Sequence, residues 1–353
     1  MLSQRSFGKV FSCGGARFLS RHMSDVKVGI IGLGAMGGNM AVNLVKKYPD
    51  LHVFDIVEDN VKQVLAAGPS ATAAPSVKAL ASACNVIITM LPATQHVAGV
   101  LRGAEGVFEN APASSLIIDC STIDPGTSKA LSAEAYAANH RMIDAPVSGG
   151  VAGATAGTLT FMVGGEAAVF EESRDVLSAM GKNMVHVGSA GTGGVTKLCN
   201  NLGLAIHMVG TAEAMNLGQK LGMDPKVLAG VLNTSTGRCW SSEVNNPCPG
   251  ALEGVPSSRG YTGGFASALM LKDLGLALDA ANTLGPDTLP IGSTVHGMYS
   301  NLVEDGYGGQ DFSVVFDPLS KGGLKTPDQI ELEKLREENA RLIVELADFR
   351  SRQ

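Results

Sequence analysis

Six residues, Gly32-Leu33-Gly34-Ala35-Met36-Gly37, constrain what this chain can fold into more than any other stretch. They follow a short β-branched run, Val28-Gly29-Ile30-Ile31, and lead into a helical pattern from Met36 to Lys47. In that setting the first glycine permits the turn, the second lets a pyrophosphate approach the backbone, and the third lets helix and strand pack closely. The helix N-terminus then faces the phosphate charge. Three spaced glycines alone are a weak signal, but Asp55 closes the next apolar run, His52-Val53-Phe54. That is the position, about 20 residues on, where an acid accepts the adenosine ribose 2′-OH. Its carboxylate would repel a 2′-phosphate, and Ile56, Val57 and Glu58 after it supply no Arg to hold one, so NAD is expected over NADP.

Short β-branched runs then alternate with longer helical stretches. The strand candidates after the first two are Val86 to Met90, Leu116 to Ile118, Met142-Ile143 and Thr160 to Val163. The expected fold is α/β: an N-terminal Rossmann-type doubly wound sheet over residues 27–190, followed by an all-α domain over 191–317. A Gly-rich hinge, Gly188 to Gly194, feeds a long helical stretch from Val195 to Leu221, and a ligand cleft is expected at this seam. Residues 318–353 form a charged helical tail, with 13 charged residues among the 29 from Lys325 to Gln353. Leu332, Leu335, Asn339, Leu342, Leu346 and Phe349 alternate three- and four-residue steps there, the a/d pattern of a short coiled coil, though a solvated helix would look similar.

Composition removes several function classes. Acidic residues outnumber basic ones, 33 to 27, and no basic block stands out, which makes nucleic acid a poor partner. No apolar run reaches the roughly 18 residues of a membrane span. Six cysteines show neither a CxxC pair nor zinc spacing, so no metal is expected and a reducing compartment fits. Residues 1–22 carry Arg5, Lys9, Arg17 and Arg21, frequent serines and no acid before Asp25, the composition of a mitochondrial transit peptide, so the mature chain is expected in the matrix, although a disordered cytosolic leader could read the same way.

Candidate chemistry gathers at the strand ends. Leu91-Pro92 and Ser121-Thr122 follow two strands at their carboxyl ends, where open sheets bind ligands, although Ser121 or Thr122 could equally cap the helix ahead of Pro125. Asp144-Ala145-Pro146-Val147-Ser148-Gly149-Gly150 ends another strand; the Ser148 hydroxyl and the Gly149 and Gly150 amides would suit a carboxylate, or form a plain tight turn. Lys197 and Asn201, four apart, share one helix face. Oxidising an alcohol by hydride loss requires its hydroxyl proton to leave, and a Lys in a closed apolar pocket can be depressed enough to take it. Such a Lys is, by itself, more often a solvated surface residue. Lys272 lies in an apolar helical face beside Asp273, which could orient it toward cofactor or substrate or simply pair with it at the surface.

Together, Gly32 to Gly37, Asp119 to Pro125, Asp144 to Gly150, Lys197 to Asn201 and Lys272 to Ala277 resemble, in order, the signature stretches of the β-hydroxyacid dehydrogenase family, and the likeness runs from Lys27 to about Phe316. Gly237 to Ser242, Asn246-Pro247 and Gln310 to Ser313 are most similar to family members that oxidise a short branched β-hydroxy acid with NAD. The resemblance implies that Ser148, Gly149 and Gly150 hold a substrate carboxylate, that Lys197 handles the proton, and that Asn201 and Lys272 complete the site. It further implies that Leu91, Thr122 and Lys272 touch the cofactor, that Trp240 walls the pocket, and that the protein is a homodimer or homotetramer paired through its helical half. Relatives that reduce glyoxylate or succinic semialdehyde typically prefer NADP, against Asp55; non-catalytic relatives lack the Lys that stands here at 197.

Overall fold

A computed structural model describes residues 26–285, 288–324 and 326–351; the leader, residues 1–22, lies outside the described residues. The first half alternates strands and helices. It begins β1 (Val28–Ile31), α1 (Gly37–Lys47), β2 (His52–Phe54), α2 (Glu58–Ala67), β3 (Thr72–Ala73), α3 (Val77–Ala83), β4 (Val86–Thr89), α4 (Thr94–Leu101) and α5 (Val107–Asn110). It continues with β5 (Leu116–Asp119), α6 (Pro125–Ala137), β6 (Arg141–Asp144), β7 (Val147–Ser148), α7 (Gly150–Ala156), β8 (Leu159–Gly164), α8 (Ala167–Leu177) and β9 (Gly181–Gly188). Strands β3-β2-β1-β4-β5-β6 lie side by side in that order and all parallel. This is the doubly wound dinucleotide-binding order, with its switch point between β1 and β4, where a crevice opens at the carboxyl ends of the strands. Beyond it, β8 runs antiparallel to the end of β6 and to β7, and parallel to β9.

Period-two alternation sorts the strand residues onto two covered faces. Ile30, Ile88, Ile118 and Ile143 pack with Met40 and Leu44 of α1 and with Phe170 of α8. Their neighbours Ile31, Ile87, Ile117 and Met142 pack on the other face with Leu80, Val97, Leu101 and Leu131. Burial on both faces is why these strands read as continuous apolar runs.

The second half is helical: α9 (Thr192–Lys220), α10 (Pro225–Asn233), α11 (Trp240–Glu243), α12 (Ser267–Asn282), α13 (Pro290–Glu304), α14 (Phe316–Ser320) and the tail helix α15 (Pro327–Ser351). Its own core gathers Met208, Met215, Met270, Leu274, Tyr299 and Phe312. Among the described residues, a single bridge between Ala266 and Asp311 is the only β pairing there, and no helix is long and apolar enough to cross a membrane.

Three strands, β3, β7 and β9, are additions to the sequence reading, and Met90 falls just past β4 instead of inside it. The long helix also begins earlier than Val195, at Thr192, because Gly191 takes φ +88° immediately before it and turns the chain out of β9.

Candidate active site

The loop between β1 and α1 has the geometry its glycines suggest. Gly32 stands at φ +93°, and a Cβ on Gly37 would run into the Gly32 carbonyl, so helix and strand meet with no room for a side chain. Gly34 differs: a Cβ there would meet nothing within 4 Å, leaving open the space into which a pyrophosphate would come. Asp55, just past β2, accepts the Leu33 amide at 2.6 Å and the Val57 amide at 2.7 Å. Its carboxylate therefore braces the glycine loop as well as standing where a ribose hydroxyl would reach it. This cradle, its acid and the start of α1 fit a dinucleotide.

A second layer lies under the ends of β4, β5 and β6. Asp119 is wholly buried. Its Oδ1 accepts the Thr89 hydroxyl at 2.7 Å and the Ser121 amide at 3.1 Å, while Oδ2 has no hydrogen-bond donor. Burial pushes this carboxyl up to about 6, against the bonds from Ser121 and Thr89, and nearby Asp144 pushes the same way. The Ser121 hydroxyl accepts the Leu91 amide at 2.9 Å, so the loops bearing Leu91 and Thr122 are joined through Ser121 to Asp119. Ser121 thus ties two strand ends together, a role outside the helix-cap reading of the sequence. Pro92 is exposed beside Leu91.

Asp144, at the end of β6, reaches across to the start of α9. It accepts the Gly191 amide at 2.7 Å and the Gly194 amide at 3.0 Å. These are two of the amides that a helix start leaves without an internal partner, and Gly191 has no side chain with which to serve them. Burial raises the Asp144 carboxyl, with the hydrogen bonds from Gly191 and Gly194 opposing it. The space around it is tight: a Cβ on Gly193 would strike the Met162 carbonyl and stand 2.7 Å from Asp144 Oδ2. One carboxylate thereby holds the first turn of α9, three residues before Lys197, at the strand that continues into Ser148. The Ser148 side of this junction is accessible, with Ser148 half-buried and Gly149 and Gly150 exposed.

On α9, Lys197 donates to Asn201 Oδ1 at 3.0 Å. Asn200 donates to the same oxygen at 3.0 Å, and the Asn201 amide nitrogen donates to Asp273 Oδ2 at 2.5 Å. Asp273, buried on α12, fixes which end of Asn201 faces the lysine, because a carboxylate can only accept. Asp273 Oδ1 pairs with Lys272 at 3.0 Å, and Lys272 donates to the Thr122 carbonyl at 2.8 Å. Lys197, Asn201, Lys272, Asp273 and Thr122 are thus one connected network spanning both halves. Burial depresses Lys197 below the usual amine range; Asp273 opposes this and Lys272 reinforces it. Asp273 therefore does more than orient Lys272, because it also positions Asn201. Trp240 stands apart from these bonds: half exposed on α11, it stacks on Phe312 at 6.5 Å, and Phe265 meets Phe312 edge-on at 5.9 Å.

A doubly wound sheet with an open pyrophosphate cradle, joined to a helical half whose desolvated lysine is linked through Asn201, Asp273 and Lys272 to the sheet's strand end at Thr122, defines a dinucleotide-dependent oxidoreductase. Comparison with known proteins agrees. Residues 27–188 match the model of the NAD binding domain of 6-phosphogluconate dehydrogenase, and residues 191–319 match that for the NAD-binding of NADP-dependent 3-hydroxyisobutyrate dehydrogenase. The chain is 51% identical over 305 residues to "Probable 3-hydroxyisobutyrate dehydrogenase, mitochondrial" of Dictyostelium discoideum, covering 86% of this chain and 94% of that one. It is 47% identical over 295 residues to the NAD-dependent L-serine dehydrogenase of Pseudomonas aeruginosa, covering 83% and 98%. A solved Mycobacterium tuberculosis 3-hydroxyisobutyrate dehydrogenase with L-serine superposes with a TM-score of 0.78 at 36% identity, covering 83% of this chain and 99% of that one. The chain belongs to the 3-hydroxyisobutyrate dehydrogenase family and is an NAD-dependent oxidoreductase.

Proposed function

We propose that this protein oxidises 3-hydroxyisobutyrate to methylmalonate semialdehyde, a step of valine breakdown, in the mitochondrial matrix. The observation that carries the reading is Lys197: a half-buried amine, depressed by burial and held by Asn201, on the helix that Asp144 anchors to the sheet. NAD supplies the hydride acceptor when bound. Gly34 and the α1 start would receive its pyrophosphate and Asp55 its ribose hydroxyl, with Leu33, Ala35 and Met36 of the same loop and Leu91, Pro92 and Thr122 at the strand ends as further residues that would hold it. Ser148, Gly149 and Gly150 hold the substrate carboxylate. Lys197 in its neutral form takes the hydroxyl proton as the alcohol is oxidised and returns one in reduction. Asn201 keeps the amine aimed, Lys272 holds the Thr122 loop against α12, and Trp240 closes the side of the pocket facing the substrate's branch. The mitochondrial names of relatives, together with the basic, acid-free leader, support the location. Copies of the chain pair through the helical half.

L-Serine is a second substrate reading, favoured by the Pseudomonas aeruginosa relative and by the ligand named with the Mycobacterium tuberculosis structure. It is also a 3-hydroxy acid, with an ammonium where 3-hydroxyisobutyrate has a methyl. The deciding experiment measures kcat/KM for 3-hydroxyisobutyrate, L-serine and glycerate with NAD and NADP, beside Lys197→Ala. A preference for 3-hydroxyisobutyrate with NAD, lost in the variant, is expected. Preference for L-serine would replace the substrate, and full activity of Lys197→Ala would remove the amine from the mechanism.

A further inference from the structure

The tail helix α15 takes no part in the site, yet it is built to be helical. At its start Thr326 Oγ1 accepts the Gln329 amide at 3.3 Å, and Gln329 Oε1 accepts the Thr326 amide at 2.8 Å, a reciprocal capping box with Pro327 in the first turn. The helix touches α13, and along it Leu332, Leu335 and Leu342 stand 48%, 51% and 46% exposed, with Ile343 at 67%. Leucines this open, in a helix with so many charges, form a stripe that the chain's own described residues leave uncovered.

We propose that α15 pairs in parallel and in register with the α15 of a second copy of this chain, as a short two-stranded coiled coil. The choice of partner follows from the heptad positions. Leu332, Asn339 and Leu346 fall at a, and Leu335, Leu342 and Phe349 at d. A lone a-position Asn finds a matching polar partner when the facing residue is its own counterpart, which specifies an in-register parallel dimer at some cost in stability. The flanking charges agree. All three g positions are acidic, Glu331, Glu338 and Glu345, whereas two of the three e positions are basic, Arg336 and Arg350. Parallel identical helices set each g beside the following e of the partner, giving Glu331 opposite Arg336 and Glu345 opposite Arg350. An antiparallel pair would set Glu against Glu and Arg against Arg, so the same charges also select against that arrangement. The third e position is Ile343, which widens the apolar stripe. A seam this short is marginal for free helices, so the pairing rests on the association through the helical half proposed above, which would hold the two tails at high local concentration.

The test uses the full chain carrying Asn339→Cys, oxidised mildly, with disulfides mapped by peptide mass spectrometry so that native cysteines such as exposed Cys199 do not contribute. Parallel, in-register helices bring two a-position Cβ atoms within reach of a disulfide. The 339–339 link should exceed by about tenfold or more the 340–340 link of an Ala340→Cys control on the outer face, as expected when thiols are held adjacent instead of meeting by diffusion. Adding Leu335→Asp and Leu342→Asp should abolish the excess while leaving the thermal transition of the body unchanged. A 339–339 yield no greater than the 340–340 yield, or one indifferent to the paired Leu→Asp changes, overturns the proposal. Docking of α15 on its own chain or on an unrelated protein would give that outcome.

Discussion

Replacing Asp119 by Asn should make the protein's stability, relative to the parent, rise steadily with pH. Asp119 Oδ1 takes both of its protein bonds, from Thr89 and Ser121, whereas Oδ2 is buried without a hydrogen-bond donor. The folded carboxyl is raised to about 6 by burial, against about 3.9 in an unfolded chain. A carboxyl raised on folding favours the folded state while protonated. That contribution is complete below the unfolded value and is lost as pH climbs through the folded one. A rise of about two units corresponds to about 3 kcal/mol. The amide in Asp119→Asn has nearly the shape of the protonated acid and does not titrate, so it escapes this loss. Whatever the fixed cost of the substitution, the stability of the variant relative to the parent should climb by most of that 3 kcal/mol between pH 4 and pH 7.5. In thermal melts this is a growing difference in Tm on the order of 5 °C. The comparison cancels every other titrating group the two proteins share. A Tm difference that stays constant across the range would show that Asp119 does not titrate there and that its charge is not strained.

Three further outcomes follow from the site. The rate of alcohol oxidation should rise with pH as Lys197 loses its proton and level off below the usual range of a lysine amine, near 10.4; the rising limb should move up in Lys272→Met, which removes a neighbouring positive charge, and down in Asp273→Asn, which removes the negative one. Constant pH profiles in both variants would place the titration elsewhere. Gly34→Val should raise the Kd for NAD by about tenfold or more with Tm unchanged, because the new side chain enters only the cofactor's space, whereas Gly37→Val should lower Tm because it strikes the Gly32 carbonyl; equal effects of the two on folding would contradict the assignment of these glycines. Asp144→Asn turns a double acceptor into one acceptor and one donor facing backbone N–H groups, so unfolding should become easier by about 2–4 kcal/mol, read as a lower urea midpoint, and kcat should fall as the first turn of α9 loosens; an unchanged midpoint would mean that the bonds to Gly191 and Gly194 matter little.

Where apolar side chains repeat at a structural period, the fold was readable in advance. β1, β2, β4 and β5 are buried or nearly so along their length, and their β-branched residues advertise it. β9 is a different case. Gly181 to Gly188 is bounded by glycines and mostly accessible, so no pattern distinguishes it; it forms because β8 offers a free edge, a fact about tertiary neighbours. β3 and β7, at two residues each, are too short to carry a period at all. In the site, Lys197 and Asn201 could be paired from their spacing along one helix, and the structure joins them at 3.0 Å. The bonds that aim them could not be anticipated: Asp273 lies 72 residues beyond Asn201, and Asp144 lies 47 residues before Gly191. An Asp at the end of a strand looks the same in sequence whether it holds a helix, a cofactor or nothing.

The reach of Asp144 into the start of α9 also bears on recombination between related enzymes. Because the carboxylate binds main-chain amides, it places no demand of its own on the side chain at 194, and 191 needs glycine for its φ of +88°, so helical halves with the same glycines could be exchanged onto this sheet with the bonds intact. A recipient sheet lacking an acid at the end of its sixth strand would leave two amides without acceptors at the seam. Chimeras should therefore be chosen by that single position before any resemblance in the rest of the junction is weighed.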